Sequence, residues 1–134
     1  MSFVMPVLFH WSPVDRRDSI SRRGLVPRSP ATCSTIVEDI HNDPEVAEEY
    51  RQLAVCLGTS PSHAWHLSGY LYTEGSPEWD LWQVVLDDED FVIPLPFEGF
   101  RLAEIRVANR IPKKRVWYVA TRTVVGHERR RRRP

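Results

Sequence analysis

The chain has no uninterrupted apolar run near the ~20 residues that a membrane-spanning helix requires, although 42% of its 134 residues are apolar. A membrane span and a composition too polar to fold are both excluded as readings. There are only two cysteines, Cys33 and Cys56, too few for a disulfide framework and without the paired spacing of a zinc site. The apolar opening from Met1 to Phe9 carries neither a basic leader nor a small-residue cleavage site. No export signal is therefore read, and a cytoplasmic location with no membrane partner is expected. A Walker-type glycine loop, a strand-linked GxGxxG and a GxSxG elbow are also missing, which removes the commonest nucleotide and hydrolase signatures. No internal repeat is visible.

What remains is a length suited to one domain with one core. Lys plus Arg and Asp plus Glu both total 18, yet five arginines, Arg129, Arg130, Arg131, Arg132 and Arg133, form one terminal run. Without them the body is acidic by about five charges, which argues against the broad basic groove of a dedicated duplex binder. The expected organisation is a single domain over residues 1–126 and a basic, disordered tail over 127–134. The tail reads equally well as a contact for nucleic-acid phosphates or as a solvated end.

Local signals predict an alternation of strands and helices. Val7 to Trp11 reads as a buried strand. Ser12-Pro13-Val14-Asp15 then reads as a helix start, with Ser at the cap and Pro at the first helical position. This helix is expected to run from Arg16 to Arg23 and to stop at Gly24. Residues 28–40 read as a loop, and Asp43-Pro44-Glu45 caps a helix to about Leu53. Ala54 to Gly58 reads as a second buried strand, followed by a Ser60-Pro61 cap and a helix to about Tyr72. Leu81–Leu86, Leu102–Ala108 and Arg115–Val125 read as strands, with a Pro-broken stretch from Phe91 to Phe97. Helices early and strands late predict an α+β fold with a mixed or antiparallel sheet. Both Ser-Pro junctions would set polar side chains beside helix N-termini, where backbone N–H groups favour phosphate.

Few residues stand out for chemistry. His10 ends an apolar strand, where a histidine is more often packed and hydrogen-bonded than functional. Glu104 alternates with Ala103 and Ile105, which places it with Arg106 on the face that would ordinarily meet solvent. Trp65, Tyr70 and Tyr72 fall on the third helix or its end, as core residues or as a platform for a flat ring. His63 and His66 have helical spacing but no third ligand at a confirming distance, so no metal is expected.

Three segments in order carry a resemblance. Leu8-Phe9-His10-Trp11-Ser12-Pro13-Val14, leading to Gly24-Leu25-Val26-Pro27, resembles the first motif of ADP-ribosyltransferase-like proteins. Val55 to Ala64 resembles their second strand with its helix, and Ala103-Glu104-Ile105 to Pro112 with Val116 to Val119 is similar to their glutamate segment and last strand. Together these touch well over half of the chain. The resemblance implies a split mixed β-sheet with flanking helices that holds NAD, as substrate, in its cleft. His10, Trp11, Ser12, Thr59 and Ser60 would bind NAD, and Tyr70, or else Trp65 or Tyr72, would pack on the nicotinamide. His10 and Glu104 would be catalytic, Glu104 bonding the nicotinamide ribose and stabilising positive charge as the glycosidic bond breaks.

The implied activity is mono-ADP-ribosylation of a macromolecule, nucleic acid favoured over protein, because the glutamate segment also resembles that of toxins modifying DNA bases. Proteins of this size and kind occur in bacteria and phages, which implies a toxin or host-takeover role. Three alternatives follow. An NAD glycohydrolase would pass ADP-ribose to water, and a non-catalytic nucleic-acid-binding module would act through the arginine tail. An enzyme like the RNA 2′-phosphotransferase would rely on arginines such as Arg106, Arg110 and Arg122.

Overall fold

The computed structural model describes residues 7–28, 53–68, 77–93 and 105–124. Its first strand, β1 (Val7–Pro13), is longer than the sequence implied. It pairs antiparallel with β3 (Glu78–Val85) in a register that sets His10 opposite Trp82, Ser12 opposite Asp80 and Pro13 opposite Trp79. The Ser-Pro signature is thus not a helix cap. Ladder bonds to β3 hold Ser12 extended, and proline is tolerated at the strand's last residue because no further ladder N–H is required there. A 3-10 turn, Val14–Arg16, intervenes before α1 (Arg17–Arg23).

Helix α1 ends as expected at Gly24, which has φ 77°. A Cβ there would lie 2.0 Å from the carbonyl oxygen of Ile111, so both the backbone conformation and the close approach require glycine. The chain then runs alongside the second half of the molecule. Leu25 bridges Ile111 and Arg28 bridges Ala54, each through a reciprocal pair of backbone hydrogen bonds of 2.9 Å.

Strand β3 is central in a three-stranded antiparallel sheet with β1 on one side and β5 (Val116–Thr123) on the other. A bulge at Leu81/Trp82 shifts the β5 register. A second, two-stranded antiparallel sheet joins β2 (Val55–Leu57) to β4 (Ile105–Val107). The fold is therefore α+β with antiparallel sheets and few helices.

Each face of the larger sheet has its own cover. Leu8, Trp82, Val84 and Val116 pack with Ile20 and Leu25 and with Val55, Leu57, Val107 and Ile111 of the smaller sheet's side. On the opposite face Trp79 packs with Trp65 of α2 (Pro61–Leu67) and with Val124. Burying such apolar side chains is worth about 1.5–3 kcal/mol each, which makes these two layers the main determinants of the fold. Helix α2 starts as predicted, with Ser60 Oγ accepting from the His63 amide at 3.0 Å, although it ends at Leu67, short of Tyr72.

Arg106 corrects a second expectation. It is only 3% exposed, so β4 has no solvent face at that position. A strand of three residues covered from both sides leaves no reliable alternation to read. The predicted helix at 43–53 lies outside the described residues except for its last position, Leu53, which is not helical. Among the described residues no helix is long and apolar enough to cross a membrane.

Candidate functional site

The two sheets touch and then part. The Phe9 amide donates to the Gly58 carbonyl at 2.9 Å, and the Gly58 amide returns a bond of 2.8 Å to Phe9. Among the described residues β1 and β2 pair nowhere else. The gap beyond this bridge is a cavity of about 420 Å³, within the range of small-molecule sites. Its walls come from β1, the 3-10 turn and α1, residues 24–28, the segment Ala54–Gly58, and Ala64, Leu67 and Ser68 of the α2 region, with Trp79 behind.

His10, Trp11 and Ser12 all line this cavity. His10 and Ser12 share a strand face, and their chemistry differs. His10 Nδ1 lies 2.8 Å from the Cys56 carbonyl oxygen; a carbonyl only accepts, so Nδ1 carries the hydrogen and Nε2 is left with its lone pair. Burial holds the imidazole below its ordinary pKa. The Cys56 bond opposes this in part, and the charges of Arg16 and Arg28 push the same way as burial. His10 is consequently neutral at physiological pH, with Nε2 as an acceptor. Ser12 is 1% exposed, and its hydroxyl makes no hydrogen bond among the described residues, an arrangement that costs about 1–3 kcal/mol unless a ligand or water supplies the partner.

Among the described residues the charged side chains that line the cavity are Arg16 and Arg28, with no Asp or Glu beside them. Neither arginine forms an ion pair among the described residues. Desolvation and the Arg28 charge lower the Arg16 pKa, as expected of two cations facing a common space. Sequence reasoning missed both, and no local signal marks them. Arg16 reaches the cavity through the turn after β1, Arg28 through a bridge to Ala54, 26 residues away.

Other expected site residues are placed elsewhere. Thr59 and Ser60 do not line the cavity. Ser60 caps α2, while the Thr59 amide donates to His63 Nδ1 at 3.0 Å, which commits that ring nitrogen. Trp65 is 4% exposed and packs edge-on against Trp11 and Trp79, at centroid distances of 5.0 and 5.9 Å. Arg122 lies 4.2 Å above its ring. Covered in this way, Trp65 offers no open face for a nicotinamide and belongs to the core. Arg106, Arg110 and Arg122 are likewise not on the cavity wall; Arg110 donates to the Arg23 carbonyl at 2.8 Å. Glu104, Tyr70, Tyr72 and Arg129 to Arg133 lie outside the described residues. Ile105, which follows Glu104, pairs with Leu57 on the cavity wall.

A search of protein families, curated proteins and solved structures finds no match to the chain. Its class therefore rests on the α+β architecture and on the chemistry of this cavity.

Proposed function

We propose that the chain is an NAD-dependent mono-ADP-ribosyltransferase of the ADP-ribosyltransferase-like fold, with nucleic acid favoured over protein as acceptor. The observation that carries this reading is the pairing of a neutral His10 and an unsatisfied Ser12 on one strand face, at the point where two sheets separate around a cavity of about 420 Å³. The His-x-Ser strand is the motif that resembles that family, and two sheets that part around a cavity are compatible with the split sheet the resemblance implies.

The residues fit the ligand. Nε2 of His10 accepts a hydrogen bond from a ribose hydroxyl. The Ser12 hydroxyl satisfies its donor and acceptor on the carboxamide or ribose. The described part of the wall carries two arginines and no acid, which suits the negative phosphates. Glu104 accepts from the second ribose hydroxyl and stabilises the positive charge that develops at the anomeric carbon. Nicotinamide departs with the electron pair of the glycosidic bond, and the acceptor's nucleophile forms the new bond to that carbon and gives up its proton.

Labelled NAD should be incubated with single-stranded DNA, duplex DNA, RNA and a cell lysate, with Glu104→Gln in parallel. The expected result is label on one acceptor class, at least about 100-fold reduced in Glu104→Gln. Label transfer at full rate by Glu104→Gln would overturn the role of Glu104, and release of nicotinamide with no labelled acceptor would replace transfer by hydrolysis.

A further inference from the structure

Arg16 and Arg17 are adjacent, yet among the described residues only Arg17 has an anionic partner. Its guanidinium makes two bonds to Asp80, of 2.9 and 2.8 Å, whereas Arg16 lines the cavity with Arg28 and meets no acid there among the described residues. Two like charges brought to one cavity repel each other, and the fold gains nothing from holding them together without a counter-ion. Ser12, a buried hydroxyl with neither donor nor acceptor role filled among the described residues, lines the same cavity. His10 does not serve as a third cation, because burial and the charges of Arg16 and Arg28 hold its imidazole below its ordinary pKa despite the bond from Nδ1–H to the Cys56 carbonyl. The cavity thus offers about two positive charges and a hydroxyl donor, with a neutral acceptor alongside.

We infer that Arg16 and Arg28, with Ser12, form a phosphate subsite on the cavity wall, which takes a group carrying about two negative charges. Guanidinium groups match phosphate oxygens through pairs of parallel N–H bonds, and the Ser12 O–H donates a further one. The group is either the pyrophosphate of a dinucleotide, with one charge on each phosphorus, or a phosphomonoester. The assignment rests on the cavity's own groups and stands whether or not the bound molecule is NAD.

Inorganic pyrophosphate, adenosine diphosphate, adenosine monophosphate, NAD and adenosine would be titrated calorimetrically into the full chain, its Arg16→Gln/Arg28→Gln variant and Arg28→Lys. Adenosine diphosphate should bind at least tenfold more tightly than adenosine. The double variant should lose at least tenfold for every phosphate-bearing probe and leave adenosine unchanged, and Arg28→Lys should lose less because charge is retained. Following the His10 ring by NMR separates binding here from binding elsewhere: a bound phosphate offsets the two arginine charges and raises the imidazole pKa, whereas adenosine does not.

Tight binding of NAD and adenosine diphosphate assigns the subsite to a pyrophosphate. Binding of adenosine monophosphate and not NAD keeps the phosphate subsite and removes the NAD reading. Phosphate probes that bind the folded double variant as tightly as the wild type, or that leave His10 unmoved, overturn the proposal.

Discussion

The contrast between the cavity and the polar network on the same sheet separates groups that hold the fold from groups left for a ligand. Asp80, fully buried in β3, accepts from Arg17 twice and from Thr121 Oγ1 at 2.7 Å, and Thr121 Oγ1 is 2.6 Å from the Tyr118 hydroxyl. Burial would raise the Asp80 pKa, but the bonds from Arg17 and Thr121 outweigh it and leave the carboxyl below its ordinary value. Every charge in that network is answered. Directly across the β1–β3 ladder, Ser12 is just as buried and unanswered. Unsatisfied polar groups clustered in a cavity are a cost to folding that a ligand removes, so the two regions should respond oppositely to mutation.

The largest effect should come from Gly24, at the end of α1 on the cavity wall. Gly24→Ala must abandon a φ of 77° or drive its Cβ into the Ile111 carbonyl, and a loss of about 3 kcal/mol or more is expected in chemical denaturation. Next comes Asp80→Ala, which removes three hydrogen bonds from a buried site and should cost about 2 kcal/mol. The Arg17 side contributes little of this, being 46% exposed. If Asp80→Ala proved neutral, the network would not be the fold's clamp.

A smaller, pH-dependent effect belongs to Asp90. Burial acts to raise its pKa, but bonds from Arg115, the Asp87 amide and Asn109 prevail and hold it at about 2, against an ordinary 3.8. A folded-state pKa below the unfolded one means stability that is complete above pH 3.8 and is lost as pH falls towards 2. Asp90→Asn should flatten the wild type's decline in melting temperature across that window; an unchanged slope would contradict the assignment. The smallest effect sharpens the comparison most. Ser12→Ala removes an unsatisfied hydroxyl and should leave stability unchanged or raise it by up to about 1 kcal/mol, while weakening ligand binding. A loss above about 1 kcal/mol would place Ser12 in the scaffold.

What was legible in the sequence follows how far apart the deciding residues lie. Gly24 and Ser60 could be read because helix ends are decided within four residues, and the α+β class because strands and helices leave local periodicities. Ser12-Pro13 was misread because its extended state depends on Asp80 and Trp79, nearly 70 residues away. Trp65 could be core or platform until Trp11, Trp79 and Arg122 were seen to surround it. Arg16 and Arg17 have equivalent local contexts. Only the placement of Asp80, 63 residues from Arg17, gives one a partner and leaves the other facing the cavity.

The central claim is that NAD is held and cleaved at the His10–Ser12 wall. It is tested most directly by nicotinamide release from NAD by the wild type and by His10→Gln, with the preferred acceptor present and both proteins shown folded by thermal melting. The account predicts release by the wild type and a loss of at least about 100-fold in the variant; full activity of His10→Gln, or no release by the wild type with any acceptor, would contradict it.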